Sequence, residues 1–426
     1  MQLSSQKTVP IEPATGNMTN ARIPARRHII NLVASFMVMC TAGSVYAWSI
    51  FVPPLSQEHG FTTAQTQLIF GLIIGVFCTS SVFAGRIGQR IGLRMTVSIG
   101  AVLFSAGYIV ASFSGGSLWL IILGISVLSG VGMGFAYITV LSNLVKWYPA
   151  HRGLATGLAV AGFGSGAILL SQAAQPFLNR GIEVLTMFRF IGISFGILFL
   201  GCGLLISQAR NISGERKEKP LAIGRLVTDR RFWILSFVFF AGSFSGMMLI
   251  GNLKPLALSF GAEAGAVGIA IVLVSVGNAS GRIIWGYIFD RIGGMRSVVT
   301  ALTVLAGLML LLPVALPGTI SFIFLCLVIG LFFGANFVIY ASDVSHKWGI
   351  EQVGYIYPII SLGYGIAGIV GPFAGGWIYD ATGSYFPAIV LSAVICLTGM
   401  AVYAVFMREK RPVLFAIPQT EFSVPD

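Results

Sequence analysis

Long apolar runs, separated by short polar and basic stretches, recur twelve times along the chain: 29–53, 64–84, 95–113, 118–141, 153–173, 186–207, 231–252, 264–289, 297–316, 319–341, 353–379 and 384–407. Each approaches or exceeds the roughly 20 residues that a helix needs to cross about 30 Å of hydrocarbon. Apolar and polar positions do not alternate inside the runs as they would in the strands of a membrane barrel, so the pattern predicts helices.

The runs fall into two matching sets of six. "GRIGQRIGLR" at 85–94 returns as "GYIFDRIGGMR" at 286–296, with Gly85 on Gly286 and Arg90 on Arg291. Lys146-Trp147 returns as Lys347-Trp348, Gly153 as Gly354, and "AGFGSG" at 161–166 as "LGYGIA" at 362–367. Pro54 with Pro255 and Gly60 with Gly261 keep the same offset of 201 residues. Such duplication predicts an all-α membrane protein of twelve transmembrane helices in two pseudo-symmetric six-helix bundles. It is the build of carriers that bind cargo between their halves. The expected organisation is a disordered tail (1–27), a first bundle (28–207), a basic linker (208–230), a second bundle (231–407) and a second tail (408–426).

Composition agrees: 56% of residues are hydrophobic and 9% charged, against about 25% charged in soluble domains. The net charge of +12 would suit a nucleic-acid binder, but its distribution points elsewhere. With twelve spans, 22 of the 26 Lys and Arg fall on the side of the termini. The positive-inside rule makes that side cytoplasmic, in a bacterial inner membrane if the chain is bacterial. The basic excess is therefore read as topology, with no nucleic-acid partner. Cys40, Cys78, Cys202, Cys326 and Cys396 lie inside predicted spans, far apart and without a CxxC, so no metal, disulfide or cofactor is expected. Neither paired buried carboxylates nor a nucleophile–histidine spacing suggests an enzyme.

The "GxxxDRxGxxR"-type loop at 286–296 and its counterpart at 85–94 resemble the signature of the major facilitator superfamily. "KWYPAHRGLATGLAVAGFGSG" (146–166) and "GGWIYDATGSY" (375–385) are similar to its monocarboxylate branch, which includes the oxalate–formate exchangers. The resemblance covers residues from about 28 to 408. It implies alternating access, a small monocarboxylate such as L-lactate as cargo, a proton as co-substrate, and function as a monomer. It also implies that Asp290, Arg291 and Arg90 gate the cytoplasmic side, although Gln89 stands where the first copy would carry an aspartate.

Within "SVGNASGRIIWGYIFDRIGG" (275–294), Ser275, Asn278 and Arg282 share one helical face. Arg282 lies eight residues before Asp290, about 12 Å into the helix, too deep to snorkel easily. A guanidinium cannot shed its proton, and a cation at that depth costs a few kcal/mol unless an anion offsets it. Ten of the 14 acidic residues, Asp343 among them, read as cytoplasmic. The other four, Glu58, Glu183, Glu263 and Asp380, read as lying in outer loops or at an outer helix end. The missing counter-ion is therefore expected to be the cargo, whose carboxylate a planar fork matches bidentately. In the monocarboxylate and oxalate branches the matching arginine is the carboxylate anchor, and the resemblance carries that role onto Arg282, with Asn278 beside it.

The oxalate branch has a second buried cation, a lysine, where this chain has Ser361 in "YIYPIISLGYG" (355–365). One cation suits one negative charge, so a monocarboxylate is expected. The alternative is an organic-anion exchanger of the oxalate–formate type. Tyr46 and Tyr137 match cavity positions of that branch, and Phe333 and Phe337 are expected to close over the cargo. Trp48 takes the place of a functional lysine of the mammalian branch. Lys254 reads as a snorkelling lysine at a helix end.

Overall fold

The structure, a computed structural model, describes residues 25–148, 152–209, 223–315 and 319–407. The expected tails lie outside these residues except at 25–27, and most of the expected linker does too, apart from a short helix at Ile223–Thr228 and its flanks. Among the described residues eleven helices are long and apolar enough to cross a membrane. The longest, Gly265–Val314, turns sharply at Gly293 (φ 75°, ψ 172°) and forms two spans, giving twelve. In chain order, spans 1 to 6 are Arg26–His59, Thr63–Gly85, Leu93–Ser112, Leu118–Leu144, Leu158–Leu178 and Val184–Leu205. Span 7 is Arg230–Ser259, spans 8 and 9 share Gly265–Val314, and spans 10 to 12 are Thr319–Trp348, Tyr355–Thr382 and Phe386–Phe406.

The duplication extends to the backbone. Gly92, between spans 2 and 3, has φ 87° and ψ 162°, and it stands 201 residues before Gly293. Gly60 and Gly261 close spans 1 and 7 at φ 69° and 82°, again at that offset. Each is a positive-φ position that an L side chain would strain.

Small residues let the helices touch. Gly277 and Gly281 of span 8 lie against the carbonyls of Leu327 and Leu331 in span 10. Gly330 and Gly334 return the contact to the carbonyls of Val274 and Asn278. Two facing GxxxG faces thus lock span 8 to span 10 by backbone approach, since apolar burial drives little association between helices in lipid. Outward-pointing apolar side chains such as Phe190 and Ile197 of span 6 and Val405 and Phe406 of span 12 are exposed on the protein, as a hydrocarbon solvent permits.

Three spans depart from regular helix. Span 1 narrows to a 3-10 helix over Ser44–Phe51, span 4 widens to a π-helix over Ile122–Ser129, and span 11 breaks at Ser361 between helices Ile350–Ile360 and Leu362–Thr382. Such interruptions aim backbone groups and side chains where a straight helix would not.

The halves meet through span 2 against span 11 and span 5 against span 8. We call the face carrying residues 25 and 407 proximal and the opposite face distal. At the distal end the Asp380 carboxylate accepts from Thr63 N (3.2 Å) and Ala64 N (2.8 Å), so span 11 caps the first turn of span 2. Deeper, Gln67 donates to the Gly251 carbonyl (2.9 Å), and Gly71 lies against Ile369. These hydrogen bonds between the halves lie distal to Arg282.

Asp343 corrects the reading of the acidic residues. It sits inside the helix of span 10, 1% exposed, where it pairs with Lys347 at 2.7 Å and accepts from the Tyr403 hydroxyl at 2.8 Å. Hydropathy ended the span at 341, whereas the helix continues to Trp348. The carboxylate is buried, and its charge is met by Lys347 one turn on.

Candidate substrate site

Arg282 is 3% exposed and points into the seam between the halves. Its Nε donates to Asn278 Oδ1 at 3.3 Å, one turn back on the same helix, and its Nη1 donates to the Val160 carbonyl of span 5 at 2.9 Å. The guanidinium lies over the Phe337 ring, 4.2 Å from its centroid, which the GxxxG contact with span 10 brings within reach. Among the described residues no carboxylate lies within 4.0 Å of it. Two of its five N–H donors are used and three have no protein acceptor there. The group is thus oriented by neutral oxygens and an aromatic face, with its charge uncompensated.

Around it stand tyrosines from both halves. Tyr46 and Tyr137 come from the first half, and Tyr357 and Tyr364 from the second. The hydroxyls of Tyr46 and Tyr364 meet at 2.8 Å, which bridges the 3-10 stretch of span 1 to the part of span 11 beyond its break. Tyr357 donates to the Phe337 carbonyl at 3.0 Å. Tyr137 packs edge-on against Phe77 and Phe163, each at 5.2 Å. Tyr357 and Tyr364 both lie in the stretch 355–365 that contains Ser361, one on either side of the break.

The remaining candidates separate. Asn278 (1% exposed) and Phe337 touch Arg282 directly. Phe333 is buried against Gly246 of span 7 and meets Phe337 edge-on at 5.5 Å, behind the ring that carries the cation. Ser361 is half-buried and donates to the Pro358 carbonyl at 2.7 Å, at the break itself. Trp48 turns into the first bundle, donating to the Thr66 carbonyl at 2.9 Å and stacking on Phe188, away from the seam. Lys254 turns across the seam, where its Nζ approaches Gln175 Oε1 (3.3 Å) and the Ile50 carbonyl (3.5 Å). Arg90, Asp290 and Arg291 are exposed on the proximal face. Arg291 stacks over Tyr287 at 4.4 Å, and among the described residues none of the three is bonded to the other half.

Just distal to Asn278 lies a cavity of about 10 Å³ lined by Tyr46, Ser49, Ile250, Leu253, Ile271, Val274, Ser275 and Asn278. Such a volume is close to the minimum for one water molecule. The site therefore combines an oriented cation, an amide, a ring of hydroxyls and a nearly closed distal side, which suits holding a small anion and passing it along the seam.

Comparison with known proteins agrees with this architecture. The profile of the Major Facilitator Superfamily matches residues 34–357 and 255–422. An uncharacterized MFS-type transporter, YhjX, of Escherichia coli (strain K12) is 27% identical over 351 residues, 81% of this chain and 86% of that protein. The oxalate:formate antiporter of Oxalobacter formigenes is 25% identical over 395 residues, covering 90% and 92%. Human monocarboxylate transporter 11 is 25% identical over 394 residues, covering 85% and 79%. Among solved structures, a bacterial homolog of the human lysosomal transporter Spinster, crystallised in an inward-facing and unoccupied conformation, superposes with a TM-score of 0.68 at 14% identity. It covers 90% of this chain and 97% of that one, a likeness of fold. The chain belongs to the Major Facilitator Superfamily.

Proposed function

We propose that this protein is a secondary active transporter, not an enzyme, that carries small monocarboxylates, L-lactate foremost, together with a proton by alternating access. Residues 28–207 and 231–407 are the two bundles that rock about the seam, the cell membrane is the bacterial inner membrane, and both termini are cytoplasmic. The chain works as a monomer. The observation that carries the reading is Arg282: a permanent cation, 3% exposed and aimed at the seam, with three N–H donors that meet no protein oxygen among the described residues. A carboxylate docking there would neutralise the charge and take a parallel pair of hydrogen bonds, while Asn278 fixes the fork. A guanidinium holds its charge, and Asp343 is engaged by Lys347 and Tyr403. The cation therefore enforces charge balance, and the proton travels with the anion. Asp290, Arg291 and Arg90 close the proximal side in the opposite state.

Exchange of the oxalate–formate type is the second reading, favoured by the antiporter relative and opposed by Ser361, which leaves one cation where a dianion needs two. Uptake of labelled lactate, pyruvate, acetate and oxalate into proteoliposomes separates the two. Symport requires lactate uptake that rises with an inward proton gradient and needs no anion inside. Uptake only against a trans anion, or oxalate carried in preference to lactate, would replace this reading with exchange.

A further inference from the structure

Lys254 has no role in the site above, yet its surroundings are unusual. It projects from span 7 across the seam, half-buried, and among the described residues meets neutral oxygens: Gln175 Oε1 at 3.3 Å and the Ile50 carbonyl at 3.5 Å. Both distances exceed the usual range for a good N–H···O bond, and an ammonium has three donors to satisfy. Among the described residues no carboxylate lies within 4.0 Å of it. The Gln175 amide nitrogen donates to Asn179 Oδ1 at 2.6 Å, which turns the glutamine oxygen toward the lysine.

Below Lys254 runs a column of polar groups. Ile250 and Leu253, on the preceding turn, line the water-sized cavity, as do Ser49, Ser275 and Asn278, and Asn278 touches Arg282. Ser49 is 1% exposed and its hydroxyl has no hydrogen-bond partner among the described residues. A buried, unpartnered hydroxyl is disfavoured, and this one lines the void between the two cations. Because Ile50 and Gln175 belong to the first half and Lys254 to the second, parting of the distal contacts would strip the ammonium of both acceptors and expose it at the mouth of the column.

We propose that Lys254 is a second carboxylate-binding station, which receives the monocarboxylate from the distal side and passes it along Ser49 to Asn278 and Arg282. This rests on the reading of Arg282 as a carboxylate site and adds an entry step to it. A lysine that merely latched the distal side shut would behave oppositely. Loss of a latch favours the distally open state and lowers the half-saturating lactate concentration at that face. Loss of a station raises it.

The test is transport by full-length protein in proteoliposomes of defined orientation, with L-lactate applied to one face at a time. For Lys254→Gln the distal half-saturation is expected to rise about tenfold and the proximal value to stay within twofold of wild type. Raising added salt from 0.1 to 1 M shortens the Debye length from about 10 to 3 Å. That change should weaken distal half-saturation in wild type and not in the variant. Gln175→Ala, which keeps the cation and loses an acceptor, should leave the distal value unchanged or lower it. An unchanged or lowered distal value in Lys254→Gln overturns the station. If that variant fails to fold, Lys254→Arg serves: it keeps the charge, so a distal rise there of tenfold also overturns the proposal. Wild-type protein that carries no monocarboxylate would remove the Arg282 reading itself, and the station with it. Normal wild-type transport with an indifferent lysine would remove the station alone.

Discussion

Replacing Arg282 with lysine separates geometry from charge. The arginine is held by Asn278 at 3.3 Å, by the Val160 carbonyl at 2.9 Å and by the Phe337 face at 4.2 Å, leaving one N–H of Nη1 and both of Nη2 for the cargo. Lysine keeps the positive charge and loses the fork, so the anion retains its counter-ion and gives up one of two parallel bonds. A hydrogen bond to a charged group contributes about 1.5–3 kcal/mol, which corresponds to roughly 10- to 150-fold in affinity at 1.4 kcal/mol per decade. Lactate half-saturation for Arg282→Lys is therefore expected to rise by about one to two orders of magnitude. Arg282→Gln, which leaves a buried carboxylate without any counter-charge, should abolish uptake. Counterflow of labelled lactate in proteoliposomes reads the first quantity. The lactate-dependent rise in thermal midpoint reads binding alone, since a ligand that binds the folded state stabilises it by RT ln(1 + L/Kd), where L is the free ligand concentration. A lysine variant that binds and carries lactate as wild type does would refute the bidentate account.

Three further outcomes are expected. Asp380→Asn removes the charge that caps the first turn of span 2 from the other half. Caps of this kind contribute about 0.5–2 kcal/mol, with exposure favouring the low end. The variant should populate the distally open state severalfold more, read as faster labelling of a reporter cysteine at Ser275 by an impermeant thiol reagent; unchanged labelling would show that Asp380 is no latch. Ser361→Lys places a second cation at the break of span 11 and should turn selectivity toward oxalate, measured as the ratio of oxalate to lactate uptake. A ratio that does not move would deny that cation number sets cargo charge. Asp343→Ala breaks an ion pair whose side chains are 9% and 2% exposed, a loss of about 3–5 kcal/mol for a buried pair, and should lower the thermal midpoint in detergent by several degrees. A midpoint equal to wild type would mean that the pair does not stabilise the fold.

The sequence by itself determined the spans, the duplication and the solitary arginine. Hydropathy over some 20 residues is a local property that the bilayer enforces, and the 201-residue offset is visible in the letters, down to Gly92 and Gly293 with their matching positive φ. Arg282 stood out because a charge in a long apolar run costs too much to be incidental. What only the tertiary structure decided was partnership. The Val160 carbonyl has no signature in sequence, since every residue carries one, and only the packing of span 5 on span 8 brings it to the guanidinium. Lys254 and Asp380, near the distal ends of their spans, read as ordinary helix-end residues until the other half was set against them. Asp343 looked solvated because hydropathy fell before the helix ended, whereas Lys347 one turn on and Tyr403 from another span allow it to be buried. Span location follows from the solvent a segment requires; pairing follows from which faces of distant helices meet, and no local pattern encodes that.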